Sequence, residues 1–123
     1  MLPSLNFIIL CDKVSFNQNS KIDILGVFDN INAPSFPARH KEMSVLTEAV
    51  LDRGEYLEVL KIDFNGQEKE VARSSVKKEE KGKHLFVHQI TDMIFPDKGD
   101  YFAKIYINDN LVGTRKFSLR IDG

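Results

Sequence analysis

Asn65-Gly66 separates two runs, EYLEVLKIDF at 55–64 and QEKEVARSSV at 67–76, in which apolar and polar residues alternate and no helical stripe appears. An Asn-Gly pair accepts the two positive φ angles of a type I′ turn, whose twist matches that of antiparallel strands, so this segment is predicted to be a β-hairpin. Counting outward from the turn sets Lys61 opposite Glu70 and Glu58 opposite Arg73. A one-residue slip would lose both opposite-charge pairs, so charge and turn chemistry predict the same register.

The rest of the chain extends this pattern. Apolar residues recur with period two or in short β-branched runs, and strands are predicted near 5–16, 21–31, 43–51, 55–64, 67–76, 84–95, 100–107 and 111–121. Eight strands at this spacing predict an all-β fold, a sandwich or barrel, and the 123 residues give room for one domain, 1–123. Asn17-Gln18-Asn19-Ser20 reads as the tip of the first hairpin. Asn108-Asp109-Asn110 reads as a three-residue loop closing the last, which aligns Ile107 with Leu111 and Tyr101 with Phe117. Residues 32–42 carry Pro34 and Pro37, which cannot donate to a ladder, and are expected to cross between sheets or cover an edge, with Phe36 tucked inward. The mixed charges of 77–83 predict a solvated loop.

The first strand is unusual. Phe7-Ile8-Ile9-Leu10 places large apolar groups on both faces, where a strand with one wet face should alternate. Either the 32–42 crossover or a neighbouring loop covers the second face, or a homodimer forms through this strand.

Composition excludes several classes of function. Seventeen Lys and Arg against eighteen Asp and Glu leave a net charge of −1, so no overall field draws the chain to nucleic acid or to an anionic membrane. No Lys or Arg precedes Phe7, and no run approaches the roughly 20 apolar residues that span a bilayer, so neither secretion nor membrane insertion is expected. A single cysteine, Cys11, fits a reducing compartment, and the expected localisation is cytoplasmic.

Catalytic and metal-binding patterns are weak. On a strand, His84 and His88 share a face but stand about 13 Å apart, too far for one zinc ion. Cys11 and Asp12 point to opposite faces, and Cys11 reads as a small buried hydrophobe. Ser74-Ser75 has no nucleophile-elbow context, and the glycines form no phosphate loop. Asp97-Lys98-Gly99-Asp100 reads as a turn rather than a calcium loop, because Lys98 interrupts the acids. The aromatic residues fall in strands without a basic stripe beside them, which argues against single-stranded nucleic acid as a partner. No cofactor is expected.

Residues 21–31, KIDILGVFDNI, preceded by Cys11-Asp12 and followed by APSFPARH at 33–40, resemble a family of short bacterial proteins of unknown function. Ser20-Lys21 replaces the Gly-Lys frequent in that family. Gly99-Asp100-Tyr101 through Gly113 is similar to the final hairpin of immunoglobulin-like sandwiches. The resemblance implies an immunoglobulin-like two-sheet sandwich and a bacterial source, and it brings no catalytic residue. If the first hairpin turns at Gln18-Asn19, Gly26 lies opposite Cys11, which would admit a neighbouring layer such as the Phe36 segment.

The functional expectation is a noncatalytic binding or accessory module with a protein partner, its surface at Phe36, Arg39 and His40 in the crossover. The alternatives are a structural subunit of a larger assembly and a small hydrolase whose site is assembled from loops, such as His40 with Asp97.

Overall fold

The computed structural model describes residues 3–122. Among them are nine strands and no helix: β1 (Ser4–Phe16), β2 (Ile22–Val27), β3 (Asn30–Ala33), β4 (Ala38–Leu51), β5 (Gly54–Phe64), β6 (Gln67–Lys78), β7 (Gly82–Phe95), β8 (Gly99–Ile107) and β9 (Asn110–Ile121). They form a four-stranded sheet in the order β2-β1-β4-β7 and a five-stranded sheet in the order β3-β9-β8-β5-β6. The pairings are antiparallel except that β3 runs parallel to β9.

Period-two patterning explains the two layers. In β8, Tyr101, Ala103, Ile105 and Ile107 are buried while Phe102, Lys104 and Tyr106 alternate with them on the outer face. Leu10, Val45 and Phe86 of the first sheet belong to one core with Leu60, Ile105 and Phe117 of the second. Each such side chain contributes about 1.5–3 kcal/mol by leaving water. At one end of the core Tyr101 stacks on Phe64 at 4.1 Å and meets the edge of Phe95 at 5.1 Å. Its hydroxyl donates to the Asp97 carbonyl at 2.7 Å, so the polar tip of a buried ring is satisfied.

The segment 21–31, read from sequence as one strand, is two strands in different sheets. The amide of Phe28 donates to the Leu10 carbonyl of the first sheet, while the next residue, Asp29, accepts from the Ser118 amide of the second. The chain changes sheets between those two residues, a step that side-chain alternation does not register. Gly26, at φ 66°, precedes the switch. Cys11 pairs with Val27 rather than with Gly26, and a Cβ on Gly26 would collide with the Asp12 carboxylate, so the close approach is to Asp12 and not to the Phe36 layer.

Three other expectations are corrected. The crossover is shorter than 32–42, because β4 begins at Ala38 and Ala38, Arg39 and His40 already pair with Phe95, Ile94 and Met93. Lys61 does lie opposite Glu70, but a bulge after Leu60 inserts Val71, so Glu58 faces Ser74 and Arg73 faces Val59. The bulge lets both Val71 and Ala72 pack on the core, and Arg73 turns to Glu70 on its own strand at 2.7 Å. In the last hairpin Tyr101 and Phe117 do pair, whereas Ile107 meets Asn110 and Tyr106 meets Leu111. The tip there is the two-residue turn Asn108-Asp109, both at positive φ, and a bulge at Ile105/Tyr106 restores the register.

Candidate functional site

Three side chains with acid–base or hydroxyl chemistry meet inside the sandwich. Glu58 of β5 accepts a hydrogen bond from Thr47 of β4 at 2.7 Å, and the same oxygen, Oε1, lies 2.7 Å from His88 Nε2 of β7. Thr47, Glu58 and His88 are 0, 0 and 2 % exposed, and Glu58 Oε2 has no hydrogen-bond partner among the described residues. The cluster joins one sheet to the other. A substrate could reach it only by parting them, so its geometry is that of a polar tie across the core. The sequence carried a signal for it: Glu58 is in phase with Leu60, Ile62 and Phe64, and His88 with Phe86 and Ile90, so both occupy inward positions. His84 shares the inward face with His88, and Phe86 stands between them, 4.5 Å from one ring and 6.3 Å from the other. Burial holds the His84 imidazole below the ordinary histidine pKa, and the Lys78 charge adds to this. Among the described residues no group of three or more His, Cys, Asp or Glu is placed to hold a metal ion.

The crossover residues expected as a partner surface do not act together. Phe36 is half-buried and packs against the core, and Arg39 is exposed and bonded to Asp92 at 2.6 Å. His40 sits between the rings of Phe28 and Phe95 at 6.2 and 6.5 Å, with Nε2 buried and without a hydrogen-bond partner among the described residues. A cleft of about 270 Å³ opens beside Pro34, Arg39, His40 and Phe95. Asp97, the other half of the hydrolase alternative, lines a different cleft of about 600 Å³ with Asp63, Asp100 and Lys104. The acids of that second cleft are occupied. Asp63 accepts from the Gly66 amide and from Lys104, and Asp100 accepts from Ser118. Hydrogen bonds from Lys104 and then Tyr106 lower the Glu68 pKa, and the same Asp63 and Glu68 contacts raise that of Lys104.

The apolar second face of the first strand remains. Ile8 and Leu10 enter the core, while Phe7 and Ile9 lie half-exposed on the outer face. Across the sheet Ile9 pairs with Leu46 and Leu46 with Val87, and Leu85 continues the patch beside Glu48. On the other side Cys11 pairs with Val27, and Lys13 with Leu25. Cys11 is fully buried, its thiol pKa raised by that burial, whereas Val27, Leu25 and Leu85 are 63, 54 and 36 % exposed. The crossover does not cover this face. Its Phe36 packs against the core, and Pro34, Ser35 and Pro37 line a cleft with Phe95 and Leu119. β1 itself has strands on both edges, so the open edge on its side of the sheet belongs to β2 and the other to β7.

These features define an immunoglobulin-like two-sheet β-sandwich. The chain belongs to a family of unknown function, DUF6941, whose model matches residues 6–120. No curated protein sequence matches it. Among solved structures it is similar to the Pseudomonas fluorescens alkylpurine DNA glycosylase AlkC bound to DNA containing an abasic site analog, with 12 % identity and a TM-score of 0.55. The match covers 96 % of this chain and 30 % of the glycosylase, and it is a likeness of fold. Among the described residues no helix is long and apolar enough to cross a membrane.

Proposed function

We propose that this chain is a noncatalytic binding module of the bacterial cytoplasm that presents the outer face and free edge of its four-stranded sheet to a protein. One observation carries the reading: the outer face holds half-exposed Phe7, Ile9 and Val87 and exposed Leu85 around Leu46, which is itself fully buried, with Glu48 set between Phe7 and Leu85 and with Leu25 and Val27 extending the patch to the edge. A monomeric sandwich gains nothing from a continuous apolar outer face, and such patches mark interaction surfaces. The second sheet is the contrast, for its outer face carries the polar network of Asp63, Glu68, Lys104 and Tyr106, closed by bonds of 2.7–2.9 Å. The buried thiol of Cys11 is consistent with a reducing compartment.

A photo-crosslinking amino acid at Leu85, with a control at Lys116 on the second sheet, tests this. The expected result is an adduct of defined mass from Leu85 alone, lost when Val27→Glu places a charge on the same face. Equal labelling from both positions, or none from Leu85, would overturn it.

A further inference from the structure

We infer that β7, at the opposite edge of the same sheet, pairs antiparallel with β7 of a second copy about Phe86, so that two four-stranded sheets become one. The inference goes beyond the binding-module reading, because it leaves the outer face and the β2 edge free for another protein. Four edges bound the two sheets, and three carry features that resist pairing. β6 presents Lys69, Glu70, Arg73, Lys77 and Lys78; β3 is four residues long; β2 is six residues long and is interrupted by Gly26, at φ 66°. β7 has its own interruption at Asp92, at φ 55°, but residues 82–91 before it pair with β4 in constant register, and Lys83 is the one Lys, Arg, Asp or Glu among them.

Hydrogen bonds across the sheet show which groups this edge offers. The Leu10 carbonyl accepts from the Phe28 amide and that of Ile8 from Arg115, so these two residues turn their backbone groups away from β4, and Ile9 and Cys11 turn theirs toward it. Carried across β4, the alternation makes Val45–His88 and Thr47–Phe86 the hydrogen-bonded pairs of β4 with β7. The amides and carbonyls of Leu85, Val87 and Gln89 are left facing outward. The Lys83 carbonyl, in the same phase, accepts from Lys78 of β6 at 3.3 Å, outside the sheet.

Side chains then select the register. Pairing centred on Phe86 sets Leu85 of each copy opposite Val87 of the other, two reciprocal apolar pairs on the outer face that also exchange their free backbone bonds. Centring on Val87 would set Leu85 opposite Gln89, centring on His88 would set it opposite Thr91, and centring on Leu85 would set Val87 opposite Lys83. Only the Phe86 register keeps both Leu85 and Val87 against apolar side chains. Leu85 is 36 % exposed and borders the apolar patch, so the joined sheet carries that patch across the dimer axis without a break.

Light scattering over a wide concentration range tests the pairing with Leu85→Lys, Val87→Glu and the two combined. The wild type is expected at twice the chain mass and each single variant at least about tenfold weaker in association. The combined variant is expected to be restored toward wild type, because each new charge then faces its opposite on the mate. Monomeric wild type at every concentration, or a combined variant no stronger than the singles, would overturn the inference; pairing about Val87 would give the second result, since it sets the two new carboxylates against each other. Photo-crosslinking at Leu85 keeps the two readings apart: an adduct of two copies of this chain persists in Val27→Glu, whereas an adduct with another protein is lost.

Discussion

The two hairpins β1–β2 and β5–β6 share the same antiparallel connection and meet opposite fates. β5 lies inside its sheet and sends Glu58, Leu60 and Ile62 into the core, while β6 shields the edge with charge and a bulge. β2 has substantial contact only with β1, and its apolar residues Ile22, Ile24, Leu25 and Val27 find no inner layer. A strand's pattern specifies which face is apolar. What the face meets is decided by the position of the strand in the sheet.

The comparison breaks first at the polar tie. Glu58→Ala should cost about 3–5 kcal/mol in urea unfolding, because it leaves His88 and Thr47 buried without their partner. Replacing Glu58, His88 and Thr47 together by Leu, Phe and Val should recover most of that loss, since an apolar set leaves no unmet bonds. On the other hairpin the largest effect expected is from Gly26→Ala. Its left-handed backbone costs a side chain about 1–2 kcal/mol, and Asp12 must swing away as well. Gly66→Ala meets no neighbour within 4 Å and should show the backbone cost alone.

A smaller effect follows from His84, which faces inward near Lys78 of β6. Its pKa is lower folded than unfolded, so the unfolded chain takes up the proton first. Stability measured by thermal unfolding should be full above the ordinary histidine value of 6.5 and fall as pH drops below it, and His84→Phe should flatten that slope. The smallest effect on folding is expected from Phe16→Ser, within about 0.5 kcal/mol in urea unfolding.

The sandwich was legible because alternation and turn residues carry it: Asn65-Gly66 closes the hairpin it predicts, and Tyr101 pairs with Phe117. Register near the tips was less so. The bulges at Leu60/Lys61 and Ile105/Tyr106 each add a residue that period-two counting cannot anticipate, which misplaced Glu58 against Arg73 and Ile107 against Leu111. The sheet switch between Phe28 and Asp29 was hidden for a different reason, since it depends on partners distant in sequence, Leu10 and Ser118. The apolar second face of β1 was visible in Phe7 and Ile9, but its extension through Leu46, Val87 and Val27 needed the strand order. Phe36, Arg39 and His40 lie beside Pro34 and Pro37, and that irregular sequence suggests a surface. The fold directs Phe36 to the core, ties Arg39 to Asp92 and lodges His40 between two rings.

Amide hydrogen exchange at Ile22 and Ile24 tests most directly whether β2 is an open edge with no inner layer beneath it. The two outward amides are expected to exchange rapidly, while those of Leu60 and Ile62, in a strand paired on both sides over the core, exchange slowly. Protection at Ile22 and Ile24 equal to that at Leu60 and Ile62 would contradict the account.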